Sequence, residues 1–243
     1  MTASGTEAER DILRTVAIVV AAGPGTRLGA DAPKAFVPLG GTPLLTYSLR
    51  SIADAPAISS VVVALPPGWE GRGRELLDQH RPWRCPLSIV TGGATRQESV
   101  RVALDSVGAA DLIAVHDAAR PFITSADLER AVAAAVLHGA AILAMAATDT
   151  VKQVDTDGWI ESTPDRHRIW LAQTPQVFRA DLLRTAHARA AEEGTTATDD
   201  AMLVERLGAR VKVVQGSPYN RKITTPDDLR WAEWVLTHPS ALR

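Results

Sequence analysis

The sequence predicts an α/β protein with a single doubly wound, mainly parallel sheet. Apolar runs rich in Val and Ile alternate about six times with stretches of helical periodicity. The runs are apolar on both faces, which is typical of strands buried in a parallel sheet. With 243 residues, 46% of them hydrophobic and 22% charged, the chain can bury a sizeable core. We expect one domain over residues 15–238, after a flexible N-terminus at residues 1–14.

The first apolar run, residues 16–22, leads into a glycine-rich turn that contains Gly23 and Gly25. Glycines let backbone N–H groups approach a bulky anion closely. The cations Arg27 and Lys34 follow at once, so the turn suits a polyphosphate. Its spacing excludes both a GxGxxG motif and a Walker P-loop. A glycine-rich strand-to-helix turn with two solvated cations remains the alternative.

The remaining elements follow the same alternation. Further strands are predicted at SVVVALP, LSIVTGG, DLIAVHD, AAILAMAA and VKVVQG, the last taken as a core strand. The stretch from Gly68 to Pro86 offers only a short helix around Glu75 to His80 and is expected to be peripheral. A capping box of Thr225 and Asp228 marks the start of the final helix.

From Thr148 onwards the sequence changes character. The segment DTVKQVDTDGWIESTPDRHRIWLAQTPQVF has short alternating runs separated by turn residues, as hairpin strands do. Because the segment is too polar for the centre of a buried sheet, we expect it to project. The predicted β-hairpin arm covers about residues 148–172.

Charged or glycine residues stand just beyond four predicted strands: Gly23 to Lys34, Gly92 to Ser99, His116 to Arg120, and Asn220 to Lys222. Because the carboxyl ends of parallel strands share one edge, these groups are expected to meet in one crevice. Cations from this set could stabilise a transferring phosphoryl group, and Asp117 could hold a hydroxyl or Mg²⁺. The pattern suits phosphoryl or nucleotidyl transfer, in which a substrate oxygen is the nucleophile.

Each of these residues also has a plainer interpretation. Asp117 could cap a helix or pair with Arg120, and Lys222 could be a solvated loop lysine. His116 fits a packed histidine at a strand end as well as a catalyst. The sequence contains nothing that resembles a Ser/His/Asp triad.

Composition limits the partners and the compartment. A net charge of -2 gives no general attraction to nucleic acid or to an anionic membrane. Cys85 is the only cysteine, which rules out an internal disulfide and fits a reducing compartment. The first residues lack the apolar region of a signal peptide, and no apolar run is long enough to cross a bilayer. We expect a cytoplasmic protein with neither nucleic acid nor membrane as a partner.

Taken together, eight segments resemble one enzyme family. They are AAGPGTRLGADAPKAF, GGATRQES, VHDAARPF, DTVK, the DR of TPDRHRIW, QTPQVF, TDDA and KITTPDDL. In this order they resemble the 2-C-methyl-D-erythritol 4-phosphate cytidylyltransferases of non-mevalonate isoprenoid synthesis, from about Val16 to Leu236. The opening loop alone indicates only the wider sugar-nucleotidyltransferase superfamily. The resemblance implies a Rossmann-like nucleotidyltransferase fold, Mg²⁺ as cofactor, and transfer of CMP from CTP to a polyol phosphate.

The resemblance also implies roles for particular residues. The catalytic positions are Arg27, Lys34, Arg166 and Lys222. The nucleotide-binding positions are Ala21, Ala22, Gly23, Pro24, Gly25, Gly93, Ala94, Arg96, Ser99 and Asp117. The substrate-binding positions are Asp117, Arg120, Thr150, Arg166, Thr174 and Lys222, with Asp117 also as metal ligand.

In this family the hairpin arm reaches over a twin subunit, so the resemblance implies a homodimer with arm exchange in which Arg166 acts in trans. One rival is a cytidylyltransferase of the same build that uses D-ribitol 5-phosphate, and Ala118 and Ala119 favour methylerythritol over it. The other rival is a catalytically idle nucleotide-binding relative, against which the presence of Arg27, Lys34 and Lys222 argues.

Overall fold

The structure, a computed structural model, describes residues 13–23, 25 and 32–238. Within these residues a seven-stranded sheet forms the centre of the molecule. Its strands are β1 (Thr15–Val20), β4 (Ile58–Leu65), β5 (Leu87–Thr91), β6 (Leu112–Asp117), β7 (Ala140–Ala146), β10 (Trp170–Arg179) and β11 (Lys212–Gln215). Two short pairs lie outside it: β2 (Pro38–Leu39) with β3 (Thr42–Pro43), and β8 (Gln153–Val154) with β9 (Ile160–Ser162).

Seven helices are described along the same residues. They are α1 (Leu44–Ala53), α2 (Glu70–Gln79), α3 (Arg96–Ser106), α4 (Ser125–His138), α5 (Ala180–Glu192), α6 (Asp200–Arg206) and α7 (Pro226–Thr237). Side-chain caps set several of their starts. Thr95 and Glu98 form a reciprocal capping box at α3, and Thr225 and Asp228 form the predicted one at α7.

The order of strands across the sheet is β11-β7-β10-β6-β1-β4-β5. The run β6-β1-β4-β5 is parallel throughout, and so is the pair β11-β7. Separate apolar clusters cover the two faces, one around Val19, Leu49 and Val63 and the other around Ile18, Val100 and Phe178. The predicted doubly wound, mainly parallel sheet is therefore confirmed.

Strand β10 corrects the expectation that the polar segment after Thr148 stays out of the sheet centre. It lies between β7 and β6, antiparallel to both, and its residues from Gln173 to Phe178 are buried. Its pairing with β7 has an irregular register between Ala172 and Gln176. Its polar side chains can be buried there because each of them finds hydrogen-bond partners inside the protein.

The first part of the same segment forms the small hairpin β8–β9, which pairs only with itself among the described residues. Its large apolar side chains face outwards: Trp159 is 74% exposed and Ile160 is 60% exposed. This is an unusual amount of bare apolar surface for one short hairpin.

Two smaller expectations are also wrong. Helix α2 runs from Glu70, several residues earlier than expected, and Trp69 just before it packs on Phe36 with ring centroids 4.8 Å apart. Strand β11 lies at the sheet edge with most of its residues exposed, so it is not a core strand. None of the described helices is long and apolar enough to cross a membrane.

Candidate active site

A cleft of about 210 Å³ lies beyond the carboxyl ends of β1 and β6. This is where ligands bind in open α/β sheets. It is lined by Val20, Ala21, Ala22, Gly23, Gly25, Lys34, Ala35, Ala94, Thr95, Arg96, Ser99, Asp117, Ala118, Ala119, Lys222 and Thr224. Residues from all four predicted groups therefore meet in one place.

Glycines bring the walls of the cleft together. Gly25 has φ +76°, and a Cβ there would lie 2.7 Å from the backbone nitrogen of Lys34. A Cβ on Gly92 would lie 2.7 Å from the Cβ of Ala22 and 2.9 Å from Ser99 Oγ. Only glycine permits such close approaches, because a real Cβ would push the strand ends apart.

Asp117, the last residue of β6, carries the central carboxylate of the site. Its Oδ1 accepts a hydrogen bond from Arg96 Nε at 2.9 Å, and its Oδ2 accepts one from Lys222 Nζ at 2.7 Å. Burial raises the pKa of this carboxyl, but the charges of Arg96 and Lys222 outweigh burial and hold the pKa well below its usual range. Asp117 is therefore ionised, and it holds two cations that come from distant parts of the chain.

A second buried carboxylate lies on the other side of Arg96. Asp200, the first residue of α6, is 1% exposed, and its Oδ2 accepts a hydrogen bond from Arg96 Nη1 at 2.8 Å. His187 Nε2 lies 2.9 Å from Asp200 Oδ1. Burial raises the pKa of Asp200, yet the Arg96 charge and the bond to His187 lower it below its usual value.

His116 links β6 to β10 through one chain of hydrogen bonds. Burial is the main cause that lowers its pKa to about 4, so the imidazole is neutral at neutral pH. Its Nε2 donates to the carbonyl oxygen of Arg120, and its Nδ1 accepts from the hydroxyl of Thr174, both at about 3 Å. Thr174 in turn accepts from the backbone N–H of Asp117 at 3.0 Å. His116 therefore stabilises the turn that carries Asp117 and Arg120.

Comparison with known proteins identifies the family to which this site belongs. The family model for IspD, 2-C-methyl-D-erythritol 4-phosphate cytidylyltransferase, matches residues 15–238. The chain belongs to this family.

Relatives and solved structures agree with this assignment to the cytidylyltransferase family. A 2-C-methyl-D-erythritol 4-phosphate cytidylyltransferase of Syntrophotalea carbinolica is 44% identical over 225 residues, which cover 91% of this chain and 96% of that protein. One of Symbiobacterium thermophilum is 43% identical over 220 residues, covering 90% and 91%.

Among solved structures, the 2-C-methyl-D-erythritol 4-phosphate cytidylyltransferase of Thermus thermophilus superposes with a TM-score of 0.75 at 36% identity. The match covers 92% of this chain and 99% of that one. The 4-diphosphocytidyl-2C-methyl-D-erythritol synthase of Anaerococcus prevotii gives a TM-score of 0.83 at 28% identity, covering 93% and 100%.

Most of the cytidylyltransferase residues that the sequence predicts for the nucleotide lie in the cleft. The members found in its lining are Ala21, Ala22, Gly23, Gly25, Ala94, Arg96, Ser99 and Asp117. Gly93 lies behind them, where its N–H donates to Ser99 Oγ at 3.1 Å. Pro24 and Arg27 lie outside the described residues.

The predicted substrate-binding residues are more dispersed. Lys222 lines the cleft together with Asp117, whereas Thr174 is 4% exposed and lies beneath it. Arg120 donates to the carbonyl oxygens of Asn220 and Ala172, and burial lowers the pKa of its guanidinium.

Two further predicted residues, Thr150 and Arg166, are exposed and are not part of the cleft lining. Arg166 Nη1 donates to the carbonyl oxygen of Thr148 at 3.0 Å.

Sequence reasoning did not single out Asp200 or His187. The TDDA segment was part of the family resemblance, but no role followed from it. The acidic pair after the Thr-rich turn indicates a helix start, but the carboxylate that caps α6 is that of Asp199, which accepts from the backbone N–H of Met202. Nothing in the sequence indicates that the Asp200 carboxylate turns inwards to Arg96, 104 residues earlier.

The donor set fits a magnesium ion that takes most of its ligands from substrate and water. Among the described residues there is no group of three or more His, Cys, Asp or Glu side chains that could hold a metal. Asp117 is ionised, and each of its oxygens accepts one described ion-pair bond, which leaves lone pairs for a cation. Mg²⁺ commonly binds through one or two carboxylates together with phosphate oxygens.

Proposed function

We propose that this chain transfers the CMP group of CTP to 2-C-methyl-D-erythritol 4-phosphate, giving 4-CDP-2-C-methyl-D-erythritol and pyrophosphate, in non-mevalonate isoprenoid precursor synthesis. The observation that carries the proposal is the meeting of Lys222, Asp117 and Arg96 in the glycine-walled cleft of a chain from this family. The described residues of the cleft supply cations and a carboxylate but no activated nucleophile. That suits a reaction in which the substrate itself attacks.

The chemistry is an in-line substitution at the α-phosphorus of CTP. A phosphate oxygen of the acceptor forms the new P–O bond, and the bond from the α-phosphorus to the bridging oxygen breaks. Pyrophosphate leaves with that electron pair. Lys34 and Lys222 stabilise negative charge on the triphosphate and on the attacking phosphate. We propose the same role for Arg27, which is not among the described residues. No covalent enzyme intermediate is needed.

The glycine-walled part of the cleft is the proposed nucleotide site. Ala22, Gly23 and Gly25 offer backbone N–H groups to the triphosphate, while Gly93, Ala94, Arg96 and Ser99 hold cytosine and ribose. The support is that all of them except Gly93 line the same cleft, where glycines allow close backbone approach.

Asp117 is the proposed metal ligand. Mg²⁺, when bound to the phosphates, would neutralise part of their charge and make the α-phosphorus a better electrophile. In the chain itself, Asp117 also holds the Lys222 ammonium in place, through the 2.7 Å bond from Nζ to Oδ2, until the acceptor phosphate arrives.

The acceptor site is proposed to be shared between two subunits of a homodimer. Asp117, Thr174 and Lys222 belong to one subunit, with Arg120 nearby, and the partner's arm brings Thr150 and Arg166. The exposed apolar side chains of the arm support this, because the described part of one chain leaves most of Trp159 and Ile160 uncovered. A second support is that Arg166 is not among the residues that line the cleft of its own chain.

The decisive test is pyrophosphate release from CTP and Mg²⁺ with purified protein and two acceptors. Release with 2-C-methyl-D-erythritol 4-phosphate, and none with D-ribitol 5-phosphate, is expected. Release with ribitol phosphate alone would overturn the acceptor assignment, and release with neither would overturn the activity. EDTA should abolish turnover, and added Mg²⁺ should restore it.

The shared site has its own test. Arg166→Ala and Lys222→Ala are each expected to be inactive, while a mixture allowed to exchange subunits should recover activity. In a mixed dimer one of the two sites then contains both intact residues. No recovery from a mixture proven to contain mixed dimers would contradict the sharing.

A cytoplasmic location is proposed as well, supported by the single cysteine, Cys85.

A further inference from the structure

We infer that Asp200 and His187 are positioning residues that hold Arg96, and through it Asp117, in the geometry that binds CTP. The inference deepens the proposed function and rests on it, because CTP affinity is one of the quantities that it predicts. Neither residue lines the cleft, so both act through Arg96.

Arg96 is held by two carboxylates on opposite sides. Its Nε donates to Asp117 at 2.9 Å and its Nη1 donates to Asp200 at 2.8 Å. A guanidinium is planar and rigid, so two such bonds fix both its position and the plane in which it lies. Its Nη2 is buried and has no partner among the described residues. Loss of the bond to Asp200 would therefore leave a second buried donor unpaired.

Asp200 is itself held in place by further hydrogen bonds, to His187 and Gln176. His187 Nε2 lies at 2.9 Å, and the side-chain oxygen of Gln176 accepts from the backbone N–H groups of Asp200 and Ala201 at 3.1 Å. Because the Asp200 carboxylate is ionised, Nε2 of His187 carries the proton and donates it. His187 Nδ1 is buried without a partner among the described residues.

The charges in this group alternate along one chain of contacts. Lys222 binds Asp117, Asp117 binds Arg96, and Arg96 binds Asp200, so two cations face two carboxylates. Without the charge of Asp200, the Arg96 guanidinium would be drawn wholly to Asp117 and would compete there with Lys222. Two groups of the proposed nucleotide site would then lose their geometry together.

The first test needs no ligand. The Nε–H proton of Arg96 should give a slowly exchanging NMR signal in the free protein, because it is bonded to Asp117. Asp200→Asn and His187→Leu should accelerate its exchange with water by roughly tenfold or more. Asp127→Asn is the matched control, since Asp127 is also a buried carboxylate, 4% exposed, and pairs with Arg130 instead. Equal protection in all variants would overturn the inference.

The second test is a double-mutant cycle on the dissociation constant of CTP, measured by calorimetry with Mg²⁺. Asp200→Asn should weaken CTP binding by roughly tenfold or more in the wild-type background, as expected for a lost charge-assisted bond. In the Arg96→Met background it should have an effect of less than about twofold, because Asp200 acts only through Arg96. Additive effects would show an independent structural role and would overturn the inference.

The two failures can be told apart. His187→Gln keeps a donor for Asp200 and should restore CTP affinity to within about threefold of wild type, whereas His187→Leu should not. If Asp200→Asn fails to fold, the comparison of His187→Gln with His187→Leu still tests the positioning role. If the wild-type protein does not bind CTP at all, the proposed function fails, and the exchange of the Arg96 proton still tests the positioning role by itself.

Discussion

Replacing Asp117 with Asn tests whether the ion pairs of the cleft exist in solution. The substitution keeps the shape of the side chain but removes the charge that Arg96 and Lys222 share. Removing one partner of a buried ion pair typically costs about 3–5 kcal/mol. Here Arg96 keeps Asp200, and Lys222 is 40% exposed and can recover water, so we expect a loss of about 2–3 kcal/mol in the free energy of unfolding.

Urea unfolding followed by tryptophan fluorescence measures this loss. The double variant Asp117→Asn with Lys222→Met should be more stable than the sum of the two single effects, because the unpaired cation is then gone. Its turnover should remain lost, which separates the stability of the pair from its use in catalysis. If the free energy of unfolding of Asp117→Asn lies within about 0.5 kcal/mol of the wild-type value, as for a typical surface substitution, the reasoning about these ion pairs is refuted.

Three further predictions concern the same cleft. Lys222→Ala should lower kcat by about a hundredfold or more in the pyrophosphate-release assay, because a charge contact in the transition state is lost; near-normal turnover would contradict its role. The free energy of unfolding should fall as the pH drops below about 4, where unfolded Asp side chains bind protons but Asp117 and Asp200, with lowered pKa values, resist them. Asp117→Asn should make the free energy of unfolding depend less steeply on pH in this acid range, as measured by urea unfolding at several pH values. An unchanged dependence on pH would count against the lowered pKa of Asp117. Gly92→Ala should lower the free energy of unfolding by about 1–3 kcal/mol and raise the KM for CTP, since its Cβ would lie 2.7 Å from that of Ala22. An unchanged melting temperature and an unchanged KM would show that the neighbouring residues shift to accept the methyl group.

Much of the fold was accessible from local sequence patterns. Buried parallel strands show as continuous apolar runs, and helix starts show as capping residues, so β1, β6 and α7 could be predicted from the sequence. The convergence of Lys34, Asp117 and Lys222 also followed, because the carboxyl ends of parallel strands share an edge.

Strand β10 could not be predicted in this way, because its polar residues look unsuitable for a sheet centre. Gln173 is bonded to Asn220 and to the carbonyl of Ser217, Thr174 to Asp117, and Gln176 to Asp199. These partners lie 23 to 57 residues away in sequence, so no local pattern shows that they are available. The Arg96–Asp200 contact was missed for the same reason.

Strand β10 also determines where this chain can tolerate a change in length. The β8–β9 hairpin pairs with itself and turns at Gly158, so residues inserted at that turn leave the sheet untouched. One residue added near Thr174 would instead move every later side chain of β10 to the opposite face of the sheet. Natural length variation and engineered fusions should therefore be found at the tip of the hairpin, while the strand that follows it keeps a fixed length.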